Sequence, residues 1–286
     1  MIRTVGIISK PRKDEVSAVV PQLLRWLGER RLEAFYDQET AACLAGGNPG
    51  TSREELARRV DLIVVLGGDG TLLATARAVG DHAVPILPVN LGGLGFLTSV
   101  TLDELYPILE QALEGKHRTS ERMLLEAEVV RRGQVVQRHR ALNDAVLNKA
   151  AVARMIEFDL RVDDSYVSTF RADGLILSTP TGSTAYSLSA GGPIVYPVLD
   201  AFVITPICPH MLTLRPLVIP DRMRIEVSFR AGEESVVLTL DGQVGIELES
   251  DDRLVVRKSA ARLHLVRPVR KTYFEILRSK LKWAAR

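Results

Sequence analysis

The chain has 286 residues, 46% hydrophobic and 25% charged, enough to bury the core of one large or two medium domains. Its 37 Lys and Arg against 35 Asp and Glu give no general argument for binding nucleic acid or an anionic membrane surface. Cys43 and Cys208 lie far apart and make no zinc-type spacing, and no stretch reaches the ~18 uninterrupted apolar residues of a membrane span, so a cytoplasmic protein is expected.

In chain order, Thr4–Ser9 reads as a short apolar strand, the spacing of Val19, Leu23, Leu24 and Leu27 predicts a helix over 15–30, and 32–36 returns to a strand. This is a βαβ beginning. Residues 41–50 carry Gly and Pro without periodicity and read as a loop, after which Ser52 and Glu55 form a capping box for a helix over Arg53–Arg59. The run 62–66 is continuously apolar, as in a strand covered on both faces, and it meets Gly67, Gly68, Asp69 and Gly70 before a helix opened by Thr71. Glycines there let the backbone approach a ligand, and a helix N-terminus offers free N–H groups to an anion such as phosphate. Asp69 is the odd member: an acid in an anion site repels phosphate unless it takes a proton from an attacking hydroxyl or holds a metal, and both roles mean phosphoryl transfer. The alternative is that Asp69 simply caps the helix. No GxxxxGK[ST] occurs and no GxGxxG follows a strand, which argues against a P-loop enzyme and a dehydrogenase.

A further buried strand over 84–89 runs into a second glycine loop, Asn90 to Phe96, expected to face the first because ligands in open α/β sheets bind at the carboxyl ends of the strands. Thr101 and Glu104 make another capping box, and the helix to Gly115 closes this half. From 123 onward short strand candidates dominate, the last two being 254–257 and 263–266, many with period-2 alternation as in Arg224 to Phe229. They suggest a sandwich of antiparallel sheets. The segment 270–286 is basic and amphipathic and is read as a helix docking on the protein's own core. The expected fold is therefore an α/β N-terminal domain, Rossmann-like with a mostly parallel sheet, over 1–100; an all-β, sandwich-like domain over 101–268; and a C-terminal helix, 269–286, packing back on the first domain.

Within the β-rich half, 173–193 reads DGLILSTPTGSTAYSLSAGGP, a density of Gly, Ser and Thr that suits hydrogen bonding to a ligand, whereas a flexible linker would lack its interleaved Leu, Ile, Tyr and Pro. Upstream, Asn143 and Asp144 could hold a ribose diol or an adenine edge, or serve as an ordinary turn pair. His82, His117, His139, His210 and His264 show no ligating spacing and are read as structural or solvent-facing.

GGDGTLL, LNDAVLN, DGLILSTPTGSTAYSLSAGGPIV, LRPLVIP and LDGQ, in this order and at these distances, resemble NAD kinase over nearly the whole chain. The resemblance implies transfer of the γ-phosphate of ATP to the 2′-hydroxyl of the adenosine ribose of NAD. It implies that Asp69 is the general base and that Asp69 and Gly70 line the NAD site. By the same resemblance Asn143 and Asp144 contact NAD, and Thr184, Ala185, Tyr186, Ser187, Leu188 and Ser189 line its adenine and ribose. Gln243 would add an amide contact, and Arg154, Arg171 and Asp173 fall where family members place ligand-contacting residues. An arginine at the place of Arg171 goes with a preference for NAD over NADH. Mg²⁺ is expected to arrive with ATP rather than in a protein cage, and a homo-oligomer, dimer or tetramer, is implied. Ala74 stands where many members carry an arginine, so that phosphate contact is not carried over. Two other readings are a non-catalytic dinucleotide-binding regulator and a lipid kinase sharing the GGDGT loop.

Overall fold

The computed structural model of the chain describes residues 2–10, 14–44, 48–149, 155–230, 236–267 and 271–283. Two compact units divide it: Met1–Glu121 together with Leu263–Arg286, and Arg122–Arg262.

The first unit alternates strands and helices: β1 (Thr4–Ser9), α1 (Asp14–Glu29), β2 (Glu33–Tyr36), α2 (Gln38–Ala41), α3 (Arg53–Arg59), β3 (Leu62–Gly67), α4 (Asp69–Val79), β4 (Ile86–Asn90) and α5 (Leu102–Leu113). Helical crossovers make the strands parallel, in the order β2-β1-β3-β4. Every residue of β3 is buried, as its unbroken apolar run requires of a strand covered on both faces. Val16, Val20, Leu23 and Leu27 put one stripe of α1 into the same core as Leu105 and Leu109 of α5, and each fully buried Leu contributes about 1.5–3 kcal/mol. Just before the stretch read as a loop, α2 is a single turn whose first residues are capped by Asp37, the side chain accepting from Thr40 N. The capping box of Thr101 and Glu104 is present at the start of α5.

In the second half the elements are β5 (Thr119–Arg131), β6 (Gln134–Ala141), β7 (Asp144–Lys149), β8 (Ile156–Val162), β9 (Ser165–Ala172), β10 (Gly174–Ser178), α6 (Tyr186–Ser189), β11 (Ala201–Ile207), β12 (Leu217–Pro220), β13 (Ile225–Arg230), β14 (Val236–Leu240), β15 (Val244–Leu248), β16 (Arg253–Val266) and α7 (Tyr273–Leu281). One antiparallel sheet of the second unit runs β12-β11-β10-β7-β14-β15. The other runs β16-β13-β8-β9, with β5 on β16 and β6 on β5. Leu147, Leu175 and Phe202 from the first sheet share one core with Phe158, Val227 and Leu254 from the second, which makes a sandwich. In β13, Ile225, Val227 and Phe229 are buried while Glu226 and Ser228 are not, the alternation the sequence carries.

Two strands differ from the sequence reading. β15 was not expected, because Gly245 and Glu247 dilute its alternation, yet it closes a hairpin onto β14. β16 is one strand where two were expected, since the polar and small residues 257–262 interrupt the apolar pattern without breaking the backbone. Its end, from Leu263, belongs to the first unit, where Leu265 pairs in parallel with Ile86 of β4. There α7 opens on a capping box of Thr272 and Glu275 and buries Ile276 and Leu277. Just before it, the Lys271 ammonium donates to Ser99 O at 3.1 Å and to Glu104 at 2.8 Å.

Candidate active site

Strands β3 and β4 are neighbours, with Gly67 opposite Asn90, so both glycine loops leave adjacent carboxyl ends of the parallel sheet. Helix α4 starts at Asp69, two residues before the expected Thr71, and its N-cap is Gly68, which brings no side chain. Asp69 is therefore not the cap. Its carboxylate reaches to the second loop instead: Oδ2 accepts from Phe96 N at 3.0 Å, while Oδ1 accepts from Leu97 N at 3.2 Å, Thr98 N at 2.9 Å and the Thr98 hydroxyl at 2.8 Å. Hydrogen bonds to an ionised acceptor are roughly twice as strong as neutral ones, so the carboxylate is held firmly while Asp69 stays half-buried. Gly95 is required by this approach, because a Cβ there would fall on the Asp69 carboxylate and the Thr98 hydroxyl. Gly70, next in the helix, is exposed. A carboxylate oriented this way at a helix N-terminus can accept a proton from a hydroxyl brought within hydrogen-bond reach of it.

A second feature lies wholly in the β-rich unit. Asn143, Asp144, Val146, Asn148, Ala185, Tyr186, Thr239, Asp241 and Gly242 line a pocket of about 250 Å³, a space on the scale of one nucleoside. Period-2 geometry explains the contribution of β7: Asp144, Val146 and Asn148 face the pocket, while Ala145 and Leu147 enter the core. Thr239 lies directly opposite Val146 on β14. The pocket thus offers carboxyl and amide groups that suit sugar hydroxyls, and beside them the ring of Tyr186, which is exposed.

Asp241 builds the turn that presents Asn143 and Asp144. It occupies the left-handed region at φ 51° between β14 and β15, and its side chain turns back to accept three main-chain N–H groups, from Leu142 at 3.1 Å, Asn143 at 2.7 Å and Asp144 at 3.3 Å. The Ser/Thr-rich block holds the other side. Thr179 donates its hydroxyl to Leu142 O at 2.5 Å and its N–H to Asn143 O at 2.9 Å, and Ser178 reaches the same Asn143 carbonyl at 3.2 Å. A Cβ on Gly182 would fall on the Asn143 main chain, so only glycine allows the block to pack this closely. Burial, and after it the negative charge of Asp241, push the Asp144 carboxyl up to about 7.

Of the residues singled out in the sequence, the pocket brings together Asn143, Asp144, Ala185 and Tyr186. Ser187 is buried with its hydroxyl 2.9 Å from that of Thr205, and the Thr184 hydroxyl donates to Thr181 O at 3.2 Å. Leu188 is half-buried, and Ser189 and Gln243 are exposed. Asp173 pairs with Lys149 at 2.8 Å, and exposed Arg171 on β9 pairs with Glu157 at 3.2 Å, so the carboxylate facing Arg171 comes from β8. Arg154 lies outside the described residues. Sequence reasoning missed Asp241 and Asn148 as site residues. The alternation Asp144, Val146, Asn148 within LNDAVLN was the signal for Asn148.

Comparison with known proteins bears on both features. Residues 5–117 match the family model described as the ATP-NAD kinase N-terminal domain, and residues 142–268 match that of the C-terminal domain. An NAD kinase of Solibacter usitatus is 51% identical, covering 100% of this chain and 99% of its own. One of Geobacter metallireducens is 49% identical, with 100% of both chains covered. Among solved structures, a yeast NADH kinase complexed with NADH superimposes with a TM-score of 0.89 at 27% identity, over 100% of this chain and 89% of that one. An NAD kinase from Archaeoglobus fulgidus in complex with ATP gives a TM-score of 0.77 at 26% identity, over 98% of each chain.

Proposed function

The chain belongs to the NAD kinase family and transfers the γ-phosphate of ATP to the 2′-hydroxyl of the adenosine ribose of NAD, and we propose that it does so with Asp69 as general base. The observation that carries this assignment is the anchored carboxylate at the N-terminus of α4, in a loop otherwise suited to phosphate. A ribose hydroxyl is a poor nucleophile at neutral pH. A fixed carboxylate can accept its proton as the new oxygen–phosphorus bond forms and the bond to the leaving ADP breaks.

The pocket of Asn143, Asp144, Ala185 and Tyr186 is assigned to the acceptor dinucleotide, its size fitting one nucleoside half. In this reading Thr184, Ser187 and Leu188 support the lining, Ser187 through Thr205, while Ser189, Gln243, Arg171, Asp173 and Arg154 remain assigned to ligand contact by family resemblance. Mg²⁺ would be held mainly by ATP phosphates and one or two carboxylates, and would neutralise charge on the transferred group. Among the described residues there is no group of three His, Cys, Asp or Glu side chains able to hold a metal ion. A cytoplasmic homo-oligomer, dimer or tetramer, completes the reading. The edge strand β12, with Leu217 and Val218 exposed, supports the assembly by offering an apolar edge for pairing.

Incubating the purified protein with NAD, ATP and Mg²⁺ and following NADP tests the activity, and Asp69→Asn beside it tests the base. Equal NADP production by the variant would remove Asp69 from the mechanism.

A further inference from the structure

Asn90 ends β4, one strand from the loop that carries Asp69, and it is buried. Its amide orientation is set by its surroundings: Oδ1 accepts from Gly92 N at 2.6 Å, which leaves Nδ2 to donate to Gly93 O at 2.9 Å, to Thr98 O at 3.3 Å and to Thr98 Oγ1 at 2.8 Å. A hydroxyl carries one proton and two lone pairs. Because Asn90 donates to Thr98 Oγ1, the Thr98 proton is free to go to Asp69 Oδ1, 2.8 Å away, and the donor direction runs Asn90 to Thr98 to Asp69. Thr98 is fully buried, so water does not compete for that proton. Its main-chain N–H binds the same Oδ1 at 2.9 Å, and Gly95 N donates back to Thr98 O at 3.1 Å, closing the loop around the carboxylate.

We propose that Thr98, oriented by Asn90, is a positioning residue for the phosphoryl transfer: its hydroxyl fixes Oδ1 of Asp69 and thereby turns the carboxylate so that Oδ2 is the oxygen presented to the acceptor hydroxyl. The proposal rests on Asp69 being the base. It differs from a packing role for Thr98, because what it requires is the hydroxyl and not the side-chain volume. Oδ1 already accepts three hydrogen bonds from the second glycine loop, two of them from Thr98, whereas Oδ2 accepts from Phe96 N alone among those bonds. Rotation of the carboxylate about its own axis is therefore what the Thr98 hydroxyl opposes.

Thr98→Val keeps the shape and removes the hydroxyl, and Thr98→Ser keeps the hydroxyl and removes a methyl. With NAD and Mg²⁺-ATP, Thr98→Val is expected to lower kcat by roughly 10- to 100-fold, the scale of a misplaced catalytic group, with KM for both substrates within about twofold. Thr98→Ser is expected to restore kcat to within about threefold of the unmodified enzyme. Asp69→Asn is measured in the same series. If Asp69→Asn loses turnover while Thr98→Val keeps it, the positioning role is overturned and the base stands; if Asp69→Asn keeps turnover, the base itself fails. Equal losses in Thr98→Val and Thr98→Ser, or a raised KM with kcat retained, also overturn the role. Thermal melting accompanies each variant, and if Thr98→Val does not fold, Thr98→Ala against Thr98→Ser supplies the same comparison.

Discussion

Asp144 presents its main-chain N–H to the Asp241 carboxylate at 3.3 Å while its own carboxyl group, buried in the lining of the pocket, is destabilised in the charged form by that same neighbour. The pocket thus contains two acids in different situations: Asp241 engaged with main-chain donors, and Asp144 raised to about 7, first by burial and then by the charge of Asp241.

Stability should therefore fall as pH rises through the window bounded by the ordinary carboxylate value of 3.8 and the folded value of about 7, because in that interval the folded chain holds a proton that the unfolded chain has lost. Above the folded value the penalty is complete and the curve flattens. Asp144→Asn removes this contribution, so its melting temperature should change less between pH 5 and pH 8 than that of the unmodified protein without ligand, both values being chosen from the ~4–7 window and its upper side. The same pH slope in both proteins would contradict the assignment of the raised group.

For Asp69→Asn the expected outcome is a loss of turnover of about 10² to 10⁴ with KM for NAD little changed, since an amide cannot accept the proton. The same substitution sets an amide N–H₂ or a weaker acceptor against Phe96 N and the Thr98 donors, so melting should be recorded with the kinetics to separate chemistry from loop anchoring.

Asn143→Ala should raise KM for NAD well above its effect on ATP. The main chain of Asn143 carries the bonds to Asp241, Thr179 and Ser178, and truncation leaves these in place. An equal rise for both substrates, or a large drop in melting temperature, would return Asn143 to a turn role.

Replacement of Asp241 should be felt in stability as well as in binding. Asp241→Gly suits the positive φ but leaves three main-chain N–H groups without their acceptor, so a loss of roughly 2–4 kcal/mol in chemical denaturation is expected. A change below about 0.5 kcal/mol, typical of a surface position, would show that water replaces the carboxylate without cost.

Arg171→Gly should narrow the preference for NAD over NADH, read as the ratio of kcat/KM for the two acceptors. Its exposed pair with Glu157 makes a stability change below about 1 kcal/mol the expectation, so an unchanged ratio would leave Arg171 as a surface ion pair.

Much of the first unit was legible because its signals are local: an apolar run fixes β3, glycines fix its exit, and Thr101 with Glu104 fixes the start of α5. The Asn143 and Asp144 turn was legible for the same reason. What the sequence hid is carried by contacts between distant positions. The carboxylate of Asp241 bonds a main-chain N–H 98 residues away, and no periodicity reports such a bond. The Ser/Thr-rich block looked like a ligand surface, yet Ser178 and Thr179 direct their hydroxyls at the carbonyls of Leu142 and Asn143. Composition reveals that hydroxyls are needed and does not say whether their partner is a ligand or the chain itself. The anchoring of Asp69 by Thr98 was hidden in the same way, 29 positions apart and across two loops.

The long strand β16 has a consequence for synthesis. It leaves the second unit and, from Leu263, supplies the neighbour of β4 in the first, so the strand and helix that complete the first unit are synthesised only after the whole of the second. Until then the β4 edge of the nascent parallel sheet lacks that neighbour, while the intervening Arg122–Arg262 unit has already been made in full. A chain stopped before Leu263 would keep both glycine loops and the whole nucleoside-sized pocket yet carry an open strand edge, a template for self-association.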